Sequence, residues 1–523
     1  MARVRRTTPA GHGEVLTEPD RQQWAALARA NAAASAAWDF SVAGLHVQDL
    51  RRLARSEAIE RARAFSARLG VPVAQVVDVP DLLVMAGHQP ELYHPGVWIK
   101  VFLLQQLGEE TGAAALDLVV DTDGFDVLEL HSPCLKPDVY VCRAYLAVGT
   151  ADGCYGCASV PTVSGIEDFC AAGAEHLGTL PAPALAHHFA RFCVALRSAS
   201  GDADNLAELV TFARRRYEAA AGSDYLELMV SSLAASRAFL AFAAHIALDA
   251  LSFSAAYNAA LADYRERTGT RSAAQPFPDL AVDGALVELP LWEIRDSGRT
   301  PVWARTGESP ALVVDGEVVC ELVGGPSVAL DRLTRSGLRL APKALALTLF
   351  TRMFVADFFI HGVGGGRYDQ VTDDVIRRYF GVEPPRHAVA SMTMYLPLGA
   401  HVVRDDEVDS LSMALNRLRQ NPDQMLGEVE FDTSSEREAA NALAARKAAL
   451  VAAIAAPGAD KKSIGLEIRQ VNAELAQLLA PIESEMRVEL EQLEQMRAAS
   501  EIFTDRTYPF CLWDPCEIAD KVR

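Results

Sequence analysis

The chain has 523 residues, of which 50% are hydrophobic, and carries a formal net charge of −20 at pH 7. This length predicts two to four structural units with a core large enough to fold without disulfides or structural metal. An acidic surface repels phosphate groups, so we expect neither a nucleic-acid partner nor binding to an anionic membrane.

The N-terminal sequence MARVRRTTPAGHGEV has basic residues but no apolar segment after them, so we expect no secretory signal. No run of about 18 apolar residues occurs. The stretch richest in apolar residues, 231–254, is interrupted by Ser, Arg and His. This pattern predicts a buried helix rather than a membrane span. The nine cysteines are odd in number and widely scattered, which favours reduced thiols. Together these observations predict a cytoplasmic protein with no membrane span.

Changes in residue pattern divide the chain into six predicted segments. They are an N-terminal helical segment (1–75), the first half of an α/β core (76–150), a mainly helical connector (151–275), β-hairpins with the second half of the core (276–405), a helical or coiled-coil arm (406–505) and a C-terminal tail (506–523).

The first half of the core is predicted as a βαβ unit. Residues 81–86 form a short apolar run that ends at Gly87, residues 97–106 have helical periodicity, and residues 116–120 form a second apolar strand. Parallel sheets of this kind bind ligands beyond the carboxyl ends of their strands. The loops that follow the two strands, 87–96 and 121–126, should therefore lie at one edge.

The second half of the core begins with predicted strands and hairpins. Residues 286–289 read as a strand that is short or at an edge, because Pro290 follows directly. Hairpin turns are expected at residues 296–298 and within 313–319. The pattern then predicts a helix, a strand, a helix capped by Gly381, and a further strand: residues 344–354, 357–360, 369–380 and 389–396.

The predicted arm carries apolar residues at steps of three and four. This heptad-like seam favours an antiparallel helical hairpin or a coiled coil, which Pro481 should bend or interrupt. Its members are Ile464, Ile468, Val471, Leu475, Leu478, Ile482 and Met486.

The loop at residues 87–96 holds the polar residues that most favour a binding site. His88 follows the strand and can act as an acid or base near neutral pH. Gln89 adds amide donors, while His94 and Lys100 lie near the predicted helix start, where an anion is favoured. These four residues predict a clamp for an anion or nucleotide. The alternative is that both histidines only bond to backbone in a tight turn.

Two further loops offer polar groups. Asp121, Thr122, Asp123 and Asp126 could hold a sugar hydroxyl, an amine or Mg²⁺, or could only cap a helix and form a turn. The segment from His361 to Tyr368 can cradle an anion with backbone N–H groups, or can be a tightly packed loop. Its candidate binding residues are Gly362, Gly364, Gly365, Arg367 and Tyr368.

Cys154 and Cys157 form a C-x-x-C motif. A zinc site would need distant ligands such as Cys134, Cys142 or His131, and a thioredoxin-like role would need the motif at the head of a helix. We therefore expect incidental free thiols, and no metal is assigned to the chain.

The motifs around His88–Gln89, Pro95–Gly96, Lys100, Asp123–Asp126 and residues 359–368 resemble those of the cysteine-adding enzymes of bacillithiol synthesis. The order of parts is also similar, with a split core, a helical connector and a C-terminal arm. The resemblance implies a Rossmann-like, nucleotidyltransferase-like parallel-sheet core. It also implies dimerisation through the coiled coil and a ligase-like joining of an amino acid, cysteine in that family, to an amine such as an amino sugar.

The leading hypothesis is an α/β enzyme, with a doubly wound core, that forms a C–N bond between small polar metabolites. In it His88 and Asp123 are the catalytic candidates, while Gln89, His94 and Lys100 orient an anionic group. Asp123 and Asp126 hold an amine or hydroxyl, and the glycine segment with Arg367 and Tyr368 holds the second substrate. ATP with Mg²⁺ is a possible cofactor that the sequence does not decide. The alternatives are a non-catalytic nucleotide- or sugar-binding assembly module, and a nucleotidyl- or glycosyl-type transferase.

Overall fold

The computed structural model describes residues 8–78, 80–136, 139–272, 277–296, 298–398, 405–427, 431 and 433–522. Within them the chain forms two compact units. Unit 1 contains Met1–Leu135, Val141–Tyr395 and Arg506–Arg523, and unit 2 contains Lys136–Tyr140 and Leu396–Asp505. Residues 506–523, predicted as a separate tail, therefore belong to unit 1.

The described strands are β1 (Val15–Glu18), β2 (Ser41–Val42), β3 (Leu45–His46), β4 (Leu83–His88), β5 (Ala114–Val119), β6 (Val127–Leu135), β7 (Val139–Val148), β8 (Leu226–Met229), β9 (Val282–Asp283), β10 (Leu286–Arg295), β11 (Gly298–Arg305), β12 (Ala311–Val314), β13 (Glu317–Glu321), β14 (Leu340–Pro342), β15 (Phe358–His361) and β16 (Ala388–Met392).

The described α-helices are α1 (Trp24–Ala36), α2 (Val47–Ser66), α3 (Pro95–Thr111), α4 (Val163–Gly178), α5 (Pro183–Ala199), α6 (Leu206–Glu218), α7 (Val230–Ala234), α8 (Arg237–Leu248), α9 (Ala250–Thr268), α10 (Pro326–Ser336), α11 (Ala344–Phe350), α12 (Val363–Val375), α13 (Asp405–Gln420), α14 (Ser434–Ile454), α15 (Lys461–Phe503) and α16 (Pro515–Asp520). Two π-helical segments extend α11 and α12, namely Thr351–Val355 and Ile376–Phe380.

A six-stranded sheet in the order β1-β16-β15-β4-β5-β8 forms the centre of unit 1. All neighbours pair in parallel except β1, which runs antiparallel to β16. From the central β4 the chain builds β5 and β8 on one side, then returns to build β15 and β16 on the other. The predicted α/β class with a parallel sheet is confirmed, and so is the βαβ unit β4–α3–β5.

Helices cover both faces of this sheet. Leu83 and Met85 belong to the apolar cluster that also contains residues of α2 and α8. Val84 and Ala86 alternate with them and so point to the other face, where α3 packs against β4 and β5. This two-sided burial explains why β4 is apolar without interruption up to Gly87.

A second, antiparallel sheet has the order β13-β12-β11-β10-β14, with β9 also paired to β10. The prediction of a strand that is short or at an edge is wrong, because β10 continues through Pro290 to Arg295 and lies between β11 and β14. Pro290 lies where the register between β10 and β11 shifts, so no ladder hydrogen bond from its nitrogen is needed. The hairpin turn at Asp315 and Gly316 is confirmed, with both residues at positive φ. Ser297 of the other predicted turn lies outside the described residues.

Four cysteines are not the free thiols that the sequence predicts. Disulfides join Cys134 to Cys142 and Cys154 to Cys157. The first pair faces across the hairpin of β6 and β7, and the second closes a tight helical turn. The fold therefore brings these sulfur atoms together in pairs, although the spacing of the cysteines along the sequence did not indicate disulfides.

Unit 2 contains the predicted helical arm. Val471 and Leu475 of α15 are buried with Ala440 of α14, which agrees with a helical hairpin. Leu479 of α15 is buried with Leu418 and Met425. Pro481 does not interrupt the helix, because α15 runs through it, and the alternative that Pro481 bends the helix stays a prediction. Pro481 is exposed, and the loss of one N–H bond does not end so long a helix.

No single helix among the described residues is long and apolar enough to cross a membrane. The helices α8 and α9 pass a test of length and composition only as a pair bent by 91°. Most residues of α8 are buried in unit 1, as predicted for the stretch at 231–254.

Candidate functional site

The candidate site lies where the connections from β4 and β15 diverge. These strands are neighbours, but the chain leaves β4 towards β5 and leaves β15 towards β16. A crevice opens at such a point in a parallel sheet. Here it forms a cavity of about 670 Å³, which we call the switch-point cavity. Nine predicted site residues line it: His88, Gln89, His94, Lys100, Asp123, Gly362, Gly364, Gly365 and Tyr368.

Four of the predicted residues do not line this cavity, and two of them, Asp121 and Thr122, line a second cavity. Asp126 is exposed, and its backbone carbonyl accepts a hydrogen bond from the Gly149 N–H. Arg367 is also exposed and is not part of the cavity lining. The structure thus brings the 87–96 loop, Asp123 and the glycine segment together but leaves Asp126 and Arg367 outside.

The first helix at the cavity, α3, begins with its own cap. His94 is the N-cap residue, and its Nδ1 accepts a hydrogen bond of 3.0 Å from the Gly96 N–H. Pro95 occupies the first helical position, where a missing N–H costs nothing. His94 therefore supports the helix start with one ring nitrogen, which agrees with the backbone-bonding alternative.

The second helix, α12, begins without a side-chain cap. Its N-cap residue is Gly362, and Val363, Gly364 and Gly365 form the first turn beside the cavity. The N–H groups of a first turn have no partner within the helix, and the helix dipole makes them electropositive. This turn is suited to bind an anionic group.

His88 lies at the end of β4 and is buried, with a side chain only 8% exposed. Its Nδ1 lies 3.9 Å from Oδ1 of Asp117 on β5, and neither atom has a hydrogen-bond partner among the described residues. Burial, with the nearby charges of Lys100 and Arg214, holds the pKa of His88 well below its usual value. The imidazole is therefore neutral at physiological pH and can serve as a hydrogen-bond donor.

Lys100 is buried on α3, and its Nζ donates to the Gly87 carbonyl over 2.7 Å. Burial lowers the pKa of Lys100 to about 8. Lys100 thus holds the end of β4 and also lines the cavity, and its role in orienting an anionic group stays a prediction.

Behind His88 and Lys100 lies a buried ionic network centred on Arg214 of α6. Its guanidinium contacts Glu227 at 2.6 Å, Glu218 at 3.2 Å and Asp117 at 3.4 Å. Burial raises the pKa of Asp117, although Arg214 and Lys100 oppose that change. The network fixes the ends of β5 and β8 and supplies the charge behind His88.

His361, at the end of β15, has a buried carboxylate partner as well. Its Nε2 lies 2.9 Å from Oδ2 of Asp369, although its N–H is not aligned with that oxygen. Burial alone would raise the pKa of Asp369, but Arg352, which contacts the same oxygen, and His361 hold that pKa well below its usual range. The anionic carboxylate favours the proton on Nε2, which leaves Nδ1 as the acceptor.

The acceptor nitrogen of His361 lies beside the glycine turn. A Cβ atom built on Gly365 would be 3.2 Å from His361 Nδ1, whereas one built on Gly364 meets no heavy atom within 4 Å. The absence of a side chain at Gly365 therefore leaves room next to Nδ1. His361 and Asp369 were not among the predicted binding residues. The position of His361 directly after apolar residues 358–360 is a pattern that could have identified it.

Gln89 and Asp123 contact each other across the cavity edge. Gln89 Nε2 donates to Asp123 Oδ2 over 3.0 Å, and Arg299 contacts Asp123 Oδ1 at 2.9 Å. Asp123 is thus held by an amide and a guanidinium. This arrangement orients Gln89 and places a positive charge beside Asp123, one of the two predicted catalytic residues.

Arg506 lines the cavity beside the start of α3 and was missed because it lies in the predicted tail. It donates to Ser391 Oγ at 2.9 Å and to the Met392 carbonyl at 2.6 Å. The tail is held by Phe510, whose ring is 5.2 Å from Tyr93 and 5.1 Å from Trp98. No local pattern in the sequence indicated that this segment returns to the sheet.

One group beside the cavity has the residue types of a metal site. Ligand atoms of His361, Asp369 and His387 all lie within 4.8 Å of one another. Asp369 already pairs with Arg352, so a divalent cation would have to compete with a buried guanidinium. This arrangement fits an oriented histidine better than a metal centre.

No protein-family model matches the sequence, and no curated protein matches it. The inference of function therefore depends on the geometry of the site.

Proposed function

We propose that the protein is an enzyme that forms a C–N bond between two small polar metabolites in the switch-point cavity. The observation that carries the proposal is the pair of histidines at the ends of adjacent strands, each beside a buried aspartate. His88 lies next to Asp117 and His361 next to Asp369. A histidine oriented by a carboxylate is the usual arrangement for moving a proton during group transfer.

We further propose that the core is Rossmann-like. Numbered along the chain, its parallel strands have the spatial order 3-2-1-4-5, with β4 as strand 1. That order belongs to the doubly wound folds that bind nucleotides at their switch point. It supports a nucleotide or an activated metabolite as one of the two ligands.

In the proposed reaction an amine attacks the carbonyl carbon of an activated carboxyl group, such as that of an amino acid. His361 Nδ1 takes the amine proton as the C–N bond forms. The bond from the carbonyl carbon to a phosphate-type leaving group breaks, and that group departs with the electron pair. The N–H groups at the start of α12 stabilise its charge, and the neutral His88 donates to the carbonyl oxygen. ATP with Mg²⁺ is one source of such activation.

The resemblance to the cysteine-adding enzymes agrees with this reaction class and suggests which compounds to test. The purified full-length protein should be screened by thermal shift against cysteine, glucosamine, ATP with Mg²⁺ and nucleotide sugars. We expect stabilisation by at least one amino compound and one anionic compound, and a product of their condensation by mass spectrometry. Stabilisation without any product would instead support a binding module, and no stabilisation at all would contradict the site.

Gly365→Ala should weaken catalysis while leaving the fold intact. The added methyl group would lie about 3.2 Å from His361 Nδ1, where the incoming amine must approach. Helix propensity favours alanine over glycine by about 1 kcal/mol, so stability should not fall. Turnover should drop at least tenfold, measured by product formation at saturating substrates.

The control for this prediction is Gly178→Ala. It adds the same methyl group at the end of α4, outside the cavity lining, and that group meets no heavy atom within 4 Å among the described residues. Turnover within twofold of the parent is expected. Equal losses in the two variants would show that access to His361 does not control the rate.

We also propose that unit 2 mediates homodimerisation in a cytoplasmic protein. Besides the residues that pack inside the unit, α15 exposes Leu466, Val488 and Met496, each by 44% or more. Light scattering after gel filtration should give twice the chain mass of 56.4 kDa. Glutamate at these three positions should give the monomer mass with an unchanged helix content. A parent protein that is already monomeric at micromolar concentration would contradict the proposal.

A further inference from the structure

A second cavity, of about 690 Å³, lies in unit 1 beyond the carboxyl end of β5 and contains the C-x-x-C motif. We infer that Cys154 and Cys157 form a redox-active pair that exchanges with a small-molecule thiol, such as cysteine or glutathione, in this disulfide cavity. The inference does not depend on the proposed condensation. It assigns a function to a motif that the switch-point cavity does not use.

The two cysteines differ in exposure. Both line the cavity, but Cys154 is 2% exposed whereas Cys157 is half-buried. The turn between them is anchored to the loop after β5, because the Gly156 N–H donates to the Asp121 carbonyl over 2.7 Å. An incoming thiolate would therefore attack Cys157, and Cys154 would be the leaving group.

A buried carboxyl group lies next to this pair. Asp121 lines the same cavity, and its Oδ2 is 3.1 Å from where a Cβ on Gly156 would lie. Ser231 holds the carboxyl with its hydroxyl and with its N–H, the latter at 2.9 Å. Burial raises the pKa of Asp121 to about 6, against the opposing effect of these hydrogen bonds. Such a group can give a proton to a leaving thiolate and take it back on reoxidation.

The other charged groups around Asp121 have ion-pair partners of their own. Glu208 on α6 raises its pKa further, and Arg295, Asp296 and Arg339 line the rim of the cavity. Arg295 pairs with Glu293, and Arg339 pairs with Asp296. Of the residues that the structure describes, no third metal-ligating side chain joins Cys154 and Cys157 in a group. The pair is therefore better suited to thiol exchange than to zinc.

The exchange balances without a further reactant. One thiolate forms an S–S bond to Cys157 as the Cys154–Cys157 bond breaks, and the Cys154 thiolate takes a proton from Asp121. A second thiolate attacks the small-molecule sulfur of the mixed disulfide, which releases Cys157 as a thiolate, and water then supplies one proton to this thiolate and one to Asp121. Two small thiols are oxidised to their disulfide, and the protein disulfide is reduced to two thiols.

The test uses the full-length protein equilibrated with reduced and oxidised glutathione at a series of ratios. Alkylation with N-ethylmaleimide and peptide mass spectrometry then measure each disulfide. We expect the Cys154–Cys157 pair to change from oxidised to reduced within this series, while the Cys134–Cys142 disulfide serves as the internal reference. A pair that stays wholly reduced or wholly oxidised at every ratio would overturn the inference, and so would reduction of both disulfides in parallel.

The role of Asp121 is tested by rate. Asp121→Asn keeps an oxygen for the Ser231 N–H but cannot donate the proton, so reduction by glutathione should slow about tenfold or more. Asp152→Asn, an exposed change two residues before the motif, should leave the rate unchanged. If Asp121→Asn does not fold, the pH dependence of the reduction rate of the parent protein tests the same role of Asp121. Its reduction rate, corrected for the thiolate concentration of glutathione, should fall as pH rises through about 6. A flat corrected profile would exclude Asp121 as the donor.

Discussion

Replacing Asp357 with alanine should lower the free energy of unfolding of unit 1 by about 3–5 kcal/mol. Asp357 lies just before β15, and its carboxylate contacts two buried arginines of α2. Arg51 Nη2 is 3.0 Å from Oδ1 and Arg55 Nη1 is 2.7 Å from Oδ2. Oδ2 also accepts a hydrogen bond of 2.9 Å from the N–H of Leu83 at the start of β4.

The size of this effect follows from what the substitution leaves behind. All three side chains are at most 8% exposed, so the two guanidinium groups would stay buried without their counter-ion. Burial already lowers the pKa of Arg51 to about 10 while Asp357 is present, which shows how strongly this environment disfavours charge. Water would have to enter between α2 and the sheet, or the strands β4 and β15 would have to separate.

Urea unfolding followed by circular dichroism measures the change, and α2 itself supplies the control. Arg52 lies next to Arg51 but pairs with Asp49 at the surface, where the two side chains are 68% and 63% exposed. Arg52→Ala should cost less than about 1 kcal/mol, because an exposed pair contributes little. Comparable losses for Asp357→Ala and Arg52→Ala would contradict the buried-network account.

The part of the fold that local pattern predicts well is the segment from β4 to β5. Its apolar strands, the glycine at the strand end and the helical periodicity between them are all short-range signals. The polar loops at 87–96 and 121–126 could be placed at one edge for the same reason. The neighbour relation of β4 and β15 could not be predicted, because Val84 pairs with Phe358 from the far part of the chain.

Asp117 and Asp369, the site residues that were not predicted, also depend on contacts between distant parts of the chain. Asp117 sits within an apolar strand, where a charged residue is itself a sign of a buried partner, but that partner is Arg214 on a distant helix. Asp369 is one of many acidic residues in the sequence, and only the fold brings it to His361 and Arg352. Single-residue patterns identify strand ends and caps, whereas ion pairs between elements become visible only in the assembled unit.

His361→Asn should reduce turnover of the proposed condensation by about 10²- to 10⁴-fold, the usual contribution of a positioned acid or base. Asparagine keeps a polar side chain near Asp369 but has no basic nitrogen beside Gly365. Since the binding turn of α12 is unchanged, KM should change much less than kcat. The comparison is made at saturating substrates, with product measured by mass spectrometry.

His46→Asn is the matched control for this substitution. His46 is an N-cap residue at the surface of α2, and asparagine is a good replacement at such a position. It should leave turnover and stability within experimental error of the parent. A similar loss in both variants would remove His361 from the mechanism.

The pH dependence of stability tests the charge of the carboxylate that orients His361. Because Arg352 and His361 hold the pKa of Asp369 well below its usual value of 3.8, its carboxylate stays charged throughout the range from pH 5 to 8. A depressed carboxyl pKa stabilises the fold above the unfolded-state value and loses that contribution only as pH falls towards the folded-state value. The orientation of His361 should therefore persist at pH 5, and the contribution of Asp369 to thermal stability should be lost only below about pH 4. Thermal melts of the parent and of Asp369→Asn measure that contribution, and the difference between the two proteins should shrink only below about pH 4. A difference that already shrinks between pH 8 and pH 5 would contradict this charge state of Asp369.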